Sequence, residues 1–149
     1  MYGLIEHTDE INRLLARYGV KFGIWIEPEM VNPDSELYRK HPEWCLGCKG
    51  HEKMESRNQL VLDLGNPQVL SYLKETFSKT FDGVAIDYFK WDMNRHLSEV
   101  GSSALPPERQ GEAAYRYMLG VYELLAFFKK KFPNAMIETC SGGGGRYDL

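Results

Sequence analysis

Gly83-Val-Ala-Ile-Asp-Tyr-Phe-Lys-Trp-Asp-Met-Asn-Arg95 reads as one strand running into a polar tip. Residues 83–91 are almost all apolar or aromatic, the pattern of a strand covered on both faces, as strands of parallel sheets are. Side chains alternate along a strand with period two, so Lys90 and Asp92 point the same way. A lysine beside a carboxylate favours its ionised form. An ionised, partly desolvated carboxylate is what a nucleophile in glycoside cleavage must be. The same pair also fits a salt bridge at a sheet rim that only orders a loop, and spacing alone does not separate the two.

The flanking sequence repeats this unit. Residues 8–18 form a helix by period, with Thr8 or Asp9 as cap, Ile11, Leu14, Leu15 and Tyr18 on one face, and Gly19 to end it. Residues 20–26 follow as a buried strand. Residues 28–58 are irregular apart from a short helix at 35–40, and long loops of this kind are usually functional or disordered. Residues 59–64 are a second strand. Asn66 and Pro67 open a helix whose inner face is Val69, Leu70, Leu73 and Phe77. After residues 83–91 and a loop at 93–111, Tyr117, Gly120, Val121, Leu124, Leu125 and Phe128 keep a helical period, and three lysines suit that helix's negative end. Residues 135–139 are a fourth strand. About four helix–strand units predict an α/β fold with a parallel sheet. A (β/α)8 barrel and a doubly wound sheet both fit; a barrel needs about 250 residues, so the chain would supply roughly half of one.

Composition narrows the function classes. The 149 residues are 43% hydrophobic and 26% charged, with net charge −3 and pI near 5.8. There is no basic excess to neutralise phosphates, so nucleic acid is not an expected partner. No apolar run reaches the ~18 residues of a membrane span, and the first residues lack the pattern of a secretory signal, so a cytoplasmic location is expected. Cys45, Cys48 and Cys140 are too few for a disulfide framework.

In a parallel β/α fold the site lies at the carboxyl ends of the strands. Those ends offer Trp25, Glu27 and Glu29; Asp63; Lys90, Asp92 and Asn94; and Glu138, Cys140 and the glycines at 142–145. Glycines let a backbone approach a ligand, but no Lys-Ser/Thr follows, which excludes a P-loop, and the dinucleotide spacing is absent too. Cys45-Leu-Gly-Cys48 between His41 and His51 has zinc-like spacing, yet packing or solvent-side cysteines are the commoner reading, and no metal is expected. Glu27, Glu29 and Asp63 could be catalytic carboxylates, with loop-ordering hydrogen bonds as the default.

Taken in order, Lys21-Phe-Gly-Ile-Trp-Ile-Glu-Pro-Glu-Met30, Asn32-Pro-Asp-Ser35, His41-Pro-Glu-Trp44, Arg57-Asn-Gln-Leu-Val-Leu-Asp63, Tyr88-Phe-Lys-Trp-Asp-Met-Asn-Arg95 and Cys140-Ser-Gly-Gly-Gly-Gly-Arg-Tyr-Asp148 resemble the α-galactosidases of glycoside hydrolase family 36. The matches span nearly the whole chain; residues 48–56 are less typical of the family than their flanks. The resemblance implies that residues 1–149 are part of one (β/α)8 catalytic domain, roughly strands two to five, acting by double displacement on terminal α-linked galactose without a cofactor. It implies Asp92 as nucleophile, and Trp25, Arg57, Lys90, Asn94, Cys140 and Gly143 as substrate contacts. It also implies an acid/base beyond Asp148, a galactose-gripping aspartate pair before residue 1, a parent enzyme that is a homo-oligomer, and no useful hydrolysis by these 149 residues alone. A raffinose-synthase-type galactosyl transferase and an α-N-acetylgalactosaminidase share this logic. A Schiff-base enzyme using Lys90 and a non-catalytic sugar-binding module are the readings from other classes.

Overall fold

The computed structural model describes residues 7–142. Helix α1 (Thr8–Tyr18) leads into strand β1 (Gly23–Ile26). Short strand β2 (Met30–Val31), helix α2 (Glu36–Lys40) and a 3-10 turn (Pro42–Trp44) follow, then strand β3 (Leu60–Val61), helix α3 (Pro67–Thr80) and strand β4 (Tyr88–Trp91). A second 3-10 turn (Pro107–Glu112) precedes helix α4 (Ala113–Lys131) and strand β5 (Met136–Thr139). Strands β1, β4 and β5 form a parallel sheet with β4 in the middle, so the fold is α/β as expected.

The second expected strand is the main departure. Residues 59–64 do not join the parallel sheet; β3 pairs antiparallel with β2, and Leu62 and Asp63 bond to Glu29 and Trp44 instead. The described residues therefore hold three parallel strands, not the four predicted. A continuous apolar run states that a strand is buried, not which partner buries it. The other parallel strands are shorter than predicted at their starts. Gly83 has φ +69, and the Asn12 side chain bonds the Gly83 carbonyl and the Ala85 N–H, taking the place of a ladder there.

Local signals placed the helices well. Asn66 caps α3 by accepting from the Gln68 N–H, as expected; Ser35, expected as the first residue of the short helix, instead caps α2 by accepting from the Tyr38 N–H. Gly19 ends α1 in the left-handed conformation, with φ +62. At the other end of α1 the N-cap is His7, without a side-chain bond, in place of Thr8 or Asp9.

Helices α3 and α4 cover one face of the sheet. Ile26, Phe89 and Trp91 lie on that face, and Phe128 of α4 meets Phe77, Phe89 and Trp91 edge-on with ring centroids 5.1–5.4 Å apart. Helix α4 comes so near the chain before α3 that a Cβ on Gly120 would stand 1.9 Å from the Leu64 carbonyl oxygen. The opposite face, carrying Trp25, Tyr88, Lys90, Met136 and Glu138, has no covering layer among the described residues; Trp25 is 52% and Met136 67% exposed.

Gly120→Ala is expected to destabilise the full-length protein by about 3 kcal/mol, the upper range for overpacking, because backbone must move. Gly111→Ala, where a Cβ meets nothing within 4 Å, should stay within about 0.5 kcal/mol of wild type. Denaturant midpoints of the two variants check the contrast.

Candidate active site at the ends of the parallel strands

The parallel ladder sets which residues meet. Ile26, Trp91 and Thr139 stand in one row across β1, β4 and β5. Backbone bonds continue one step further: the Asp92 N–H donates to the Ile26 carbonyl at 2.9 Å and the Cys140 N–H to the Trp91 carbonyl at 2.8 Å. The next row is therefore Glu27, Asp92 and Cys140. By strand alternation it faces the same open side as the row Trp25, Lys90 and Glu138.

Asp92 is 9% exposed. Its Oδ2 accepts from Asn94 Nδ2 at 2.6 Å and from the Trp25 indole N–H at 3.1 Å, and its Oδ1 accepts from the Met93 N–H at 3.0 Å. Burial pushes its proton affinity up, but the hydrogen bonds from Asn94, Trp25, the Cys140 thiol and the Met93 N–H together hold the carboxyl below its ordinary range. The ionised state expected from sequence is thus supported, though by a different cause. Lys90 does not supply it: its ammonium donates to Glu138, which also accepts from the Tyr88 hydroxyl.

Asn94 also reaches Glu27 Oε1, at 3.3 Å, and Glu27 Oε2 accepts from Gln59 Nε2 at 2.7 Å. Arg57 lies exposed at the tip of a tight turn closed by mutual backbone bonds between Ser56 and Gln59. Arg57 and Asn58 both have positive φ, 57° and 58°, the signature of a primed hairpin turn. Trp25, Lys90, Asp92, Asn94 and Cys140 are thus gathered at one end of the sheet. Arg57 is joined to them only through Gln59 and Glu27, and Gly143 lies outside the described residues. Tyr88 is not among the expected site residues, and Glu138 is expected only as a strand-end group without an assigned partner; strand parity in β4 and β5 is the signal that pairs it with Lys90.

The remaining carboxylates order loops. Glu29, 1% exposed, accepts from the Trp91 indole at 2.8 Å and from the Tyr117 hydroxyl. Buried Asp63 accepts from Ser102 and from the Gly65 N–H at 3.0 Å; burial raises its proton affinity, against the pull of those two bonds. A cavity of about 410 Å³ lies beside Met93 and Asn94, bounded also by Glu29, Tyr117 and Ser141. Of the zinc-spaced residues, Cys45 is buried with its thiol pushed up to about 11, chiefly by desolvation, Cys48 is exposed, and His41 stacks on Trp44. Among the described residues, no three His, Cys, Asp or Glu side chains could hold a metal ion, and no helix is long and apolar enough to cross a membrane.

Polar groups at the carboxyl ends of parallel strands, on an uncovered face, place the chain among α/β proteins that build their sites there. The family description Melibiase matches residues 3–149, and the chain belongs to that family. α-Galactosidase AgaA of Geobacillus stearothermophilus is 53% identical over 146 residues, 98% of this chain and 20% of the relative. α-Galactosidase 1 of Pediococcus pentosaceus is 51% identical over 130 residues, 87% of this chain and 18% of the relative. The crystal structure of an AgaA variant in complex with raffinose superposes with a TM-score of 0.86 at 52% identity, covering 97% of this chain and 20% of that one. The chain thus spans about a fifth of the length of the relatives it matches.

Asn94→Leu removes the shortest donor to Asp92. The folded carboxyl titrates below its unfolded value, so its contribution to stability is present above about pH 4 and lost as pH falls through the folded value. The variant is expected to lose about 1.5–3 kcal/mol at neutral pH, the scale of a hydrogen bond to a charged group, and to lose less in acid. Denaturant midpoints of variant and wild type at both pH values test the sign.

Proposed function

We propose that Asp92 is the nucleophile of a retaining α-galactosidase, within a (β/α)8 barrel to which the three parallel strands contribute. The observation that carries the reading is the Asp92 carboxylate: desolvated, held charged by donors alone, and set beside an exposed Trp25 on the open side of the sheet. Support for the sugar comes from relatives, since crystal structures of AgaA variants are in complex with raffinose, stachyose and 1-deoxygalactonojirimycin. Support for the barrel comes from the open face and from the strand-end position of the polar row.

An Asp92 oxygen attacks the anomeric carbon while the bond to the leaving oxygen breaks, and a second carboxylic acid gives that oxygen its proton. The same group, now a base, deprotonates water, which attacks the galactosyl ester and frees Asp92. In a retaining enzyme the two carboxyl groups lie about 5–5.5 Å apart. We place the acid/base beyond Asp148, as the family resemblance implies, and read Glu27, Glu29, Asp63 and Glu138 as carboxylates that order their surroundings. Trp25 forms an aromatic wall for the sugar. Lys90, steadied by Glu138, donates to sugar hydroxyls, and Asn94 presents its amide oxygen. Arg57, Cys140 and Gly143 complete the proposed contacts.

Asp92→Ala in the full-length protein is expected to cut turnover of an aryl α-galactoside by roughly 10⁴–10⁶-fold, the range for removing a covalent nucleophile. A 2-fluoro-galactosyl donor should leave its label on Asp92. Turnover that survives the substitution, or a label on another residue, would overturn the assignment.

A further inference from the structure

We propose that Glu27 is a positioning residue for Asp92: by accepting one hydrogen of the Asn94 amide, it keeps the nitrogen of that amide turned toward the neighbouring carboxylate. The inference rests on the reading above only where Asp92 is called a nucleophile.

Asn94 Nδ2 stands 2.6 Å from Asp92 Oδ2 and 3.3 Å from Glu27 Oε1. An amide nitrogen carries two hydrogens, and its oxygen carries none. Two carboxylates at one end of the amide can both be satisfied only if that end is nitrogen. A half-turn of the amide would set a carbonyl against two acceptors. With Asp92 alone as neighbour, the amide could swing away and leave the carboxylate one donor short. Glu27 removes that freedom and leaves Asn94 Oδ1 directed away from both carboxylates, where a sugar hydroxyl can donate to it.

Glu27 is itself pinned. Its Oε2 accepts from Gln59 Nε2 at 2.7 Å, and the Gln59 carbonyl accepts from Arg95 Nη1 at 2.6 Å. Among the described residues, the buried Gln59 Oε1 has no hydrogen-bond partner. An empty buried acceptor costs about 1–3 kcal/mol, so the bond to Glu27 is kept against that penalty. The same residue ends the tight turn of Arg57 and Asn58, and the clamp therefore links that turn to Asp92.

Charge and positioning act on Asp92 with opposite signs. A nearby carboxylate raises the proton affinity of Asp92, whereas an oriented Asn94 lowers it. Other charged or titratable groups nearby among the described residues are Lys90, paired with Glu138, the Cys140 thiol, Arg95, bonded to Gln59, and Glu29 and His96, which line the cavity beside Asn94. The Asn94 amide donates to Asp92 and Glu27.

The test compares Glu27→Leu, Glu27→Asp and Glu27→Gln in the full-length protein. Glu27→Asp keeps the charge and loses the reach. Glu27→Gln loses the charge, yet its carbonyl can still accept from Asn94 while its amide donates to Gln59 Oε1 after a half-turn there. Positioning is expected to move the acid limb of kcat/KM upward by half a pH unit or more in the Leu and Asp variants, about a threefold loss of activity below the limb. Glu27→Gln should stay at or below the wild-type limb, and Glu27→Leu should add no upward shift once Asn94→Leu is present. A limb unmoved or lowered in Glu27→Asp overturns the inference, even where the Leu variant fails to fold. Stability supplies a readout that needs no turnover. Glu27→Asp should shrink the difference in denaturant midpoint between neutral and acid pH, and should not do so beside Asp92→Asn; an equal effect in both backgrounds also overturns it. An absence of α-galactosidase turnover in wild type, with that stability coupling present, would defeat the proposed function and leave the positioning role standing.

Discussion

The backbone bonds from Asp92 to Ile26 and from Cys140 to Trp91 carry the parallel ladder one residue past the regular strands, and the site depends on that step. Parallel pairing with fixed register makes three chain segments, far apart in sequence, end on the same level. A shift of one residue in β4 would turn Asp92 to the covered face and bring Trp91 out of the aromatic layer. Burial of Phe89 and Trp91 against Phe128 resists such a shift, because every apolar side chain of the strand would change face with it. The core beneath the sheet thus specifies the chemistry above it.

At Asp92 two effects oppose each other. Withdrawal from water favours the neutral acid, and donors from Asn94, Trp25, Cys140 and Met93 favour the anion. Among the described residues, the donors win without a formal positive charge in contact. That has a chemical consequence. A carboxylate held by an ion pair would be strongly stabilised in the ground state, and part of that would be lost as its charge passes to a new bond. Neutral donors keep the anion charged while holding it less tightly, which suits the nucleophile proposed for this position.

Sequence made the helices and the strand ends legible because their signals are local. Asn66 before Pro67 and Gly19 after Tyr18 each fix a backbone group by short-range chemistry. The parity of Lys90 and Asp92 was also legible, since alternation follows from strand geometry alone. What parity could not supply was the lateral neighbour. Lys90 pairs across the ladder with Glu138, 48 residues away, and not along its own strand with Asp92. Residues 59–64 failed for the same reason: their burial was readable, but their pairing with Met30 and Val31 depends on where the loop between them folds. Sequence leaves Glu27 between a catalytic carboxylate and, by default, a loop-ordering one; its bond to Gln59 is of the second kind, and its bond to Asn94 forms only once β1 and β4 lie side by side.

The Lys90–Glu138 pair shows how the open face constrains function. With side chains 32% and 48% exposed, such a pair contributes about 0–1 kcal/mol to stability, so folding energy is a weak reason for it. Its geometry matters more. Glu138 and Tyr88 hold the ammonium on the open side of the sheet, in the row next to Asp92, without letting it fall onto that carboxylate. Covering that face, by protein or by a bound sugar, would lower the local dielectric and strengthen the same contact several-fold. The pair is therefore weak as a fastening and effective as a guide: it keeps the ammonium off the Asp92 carboxylate, as the proposed division of roles between Lys90 and Asp92 requires.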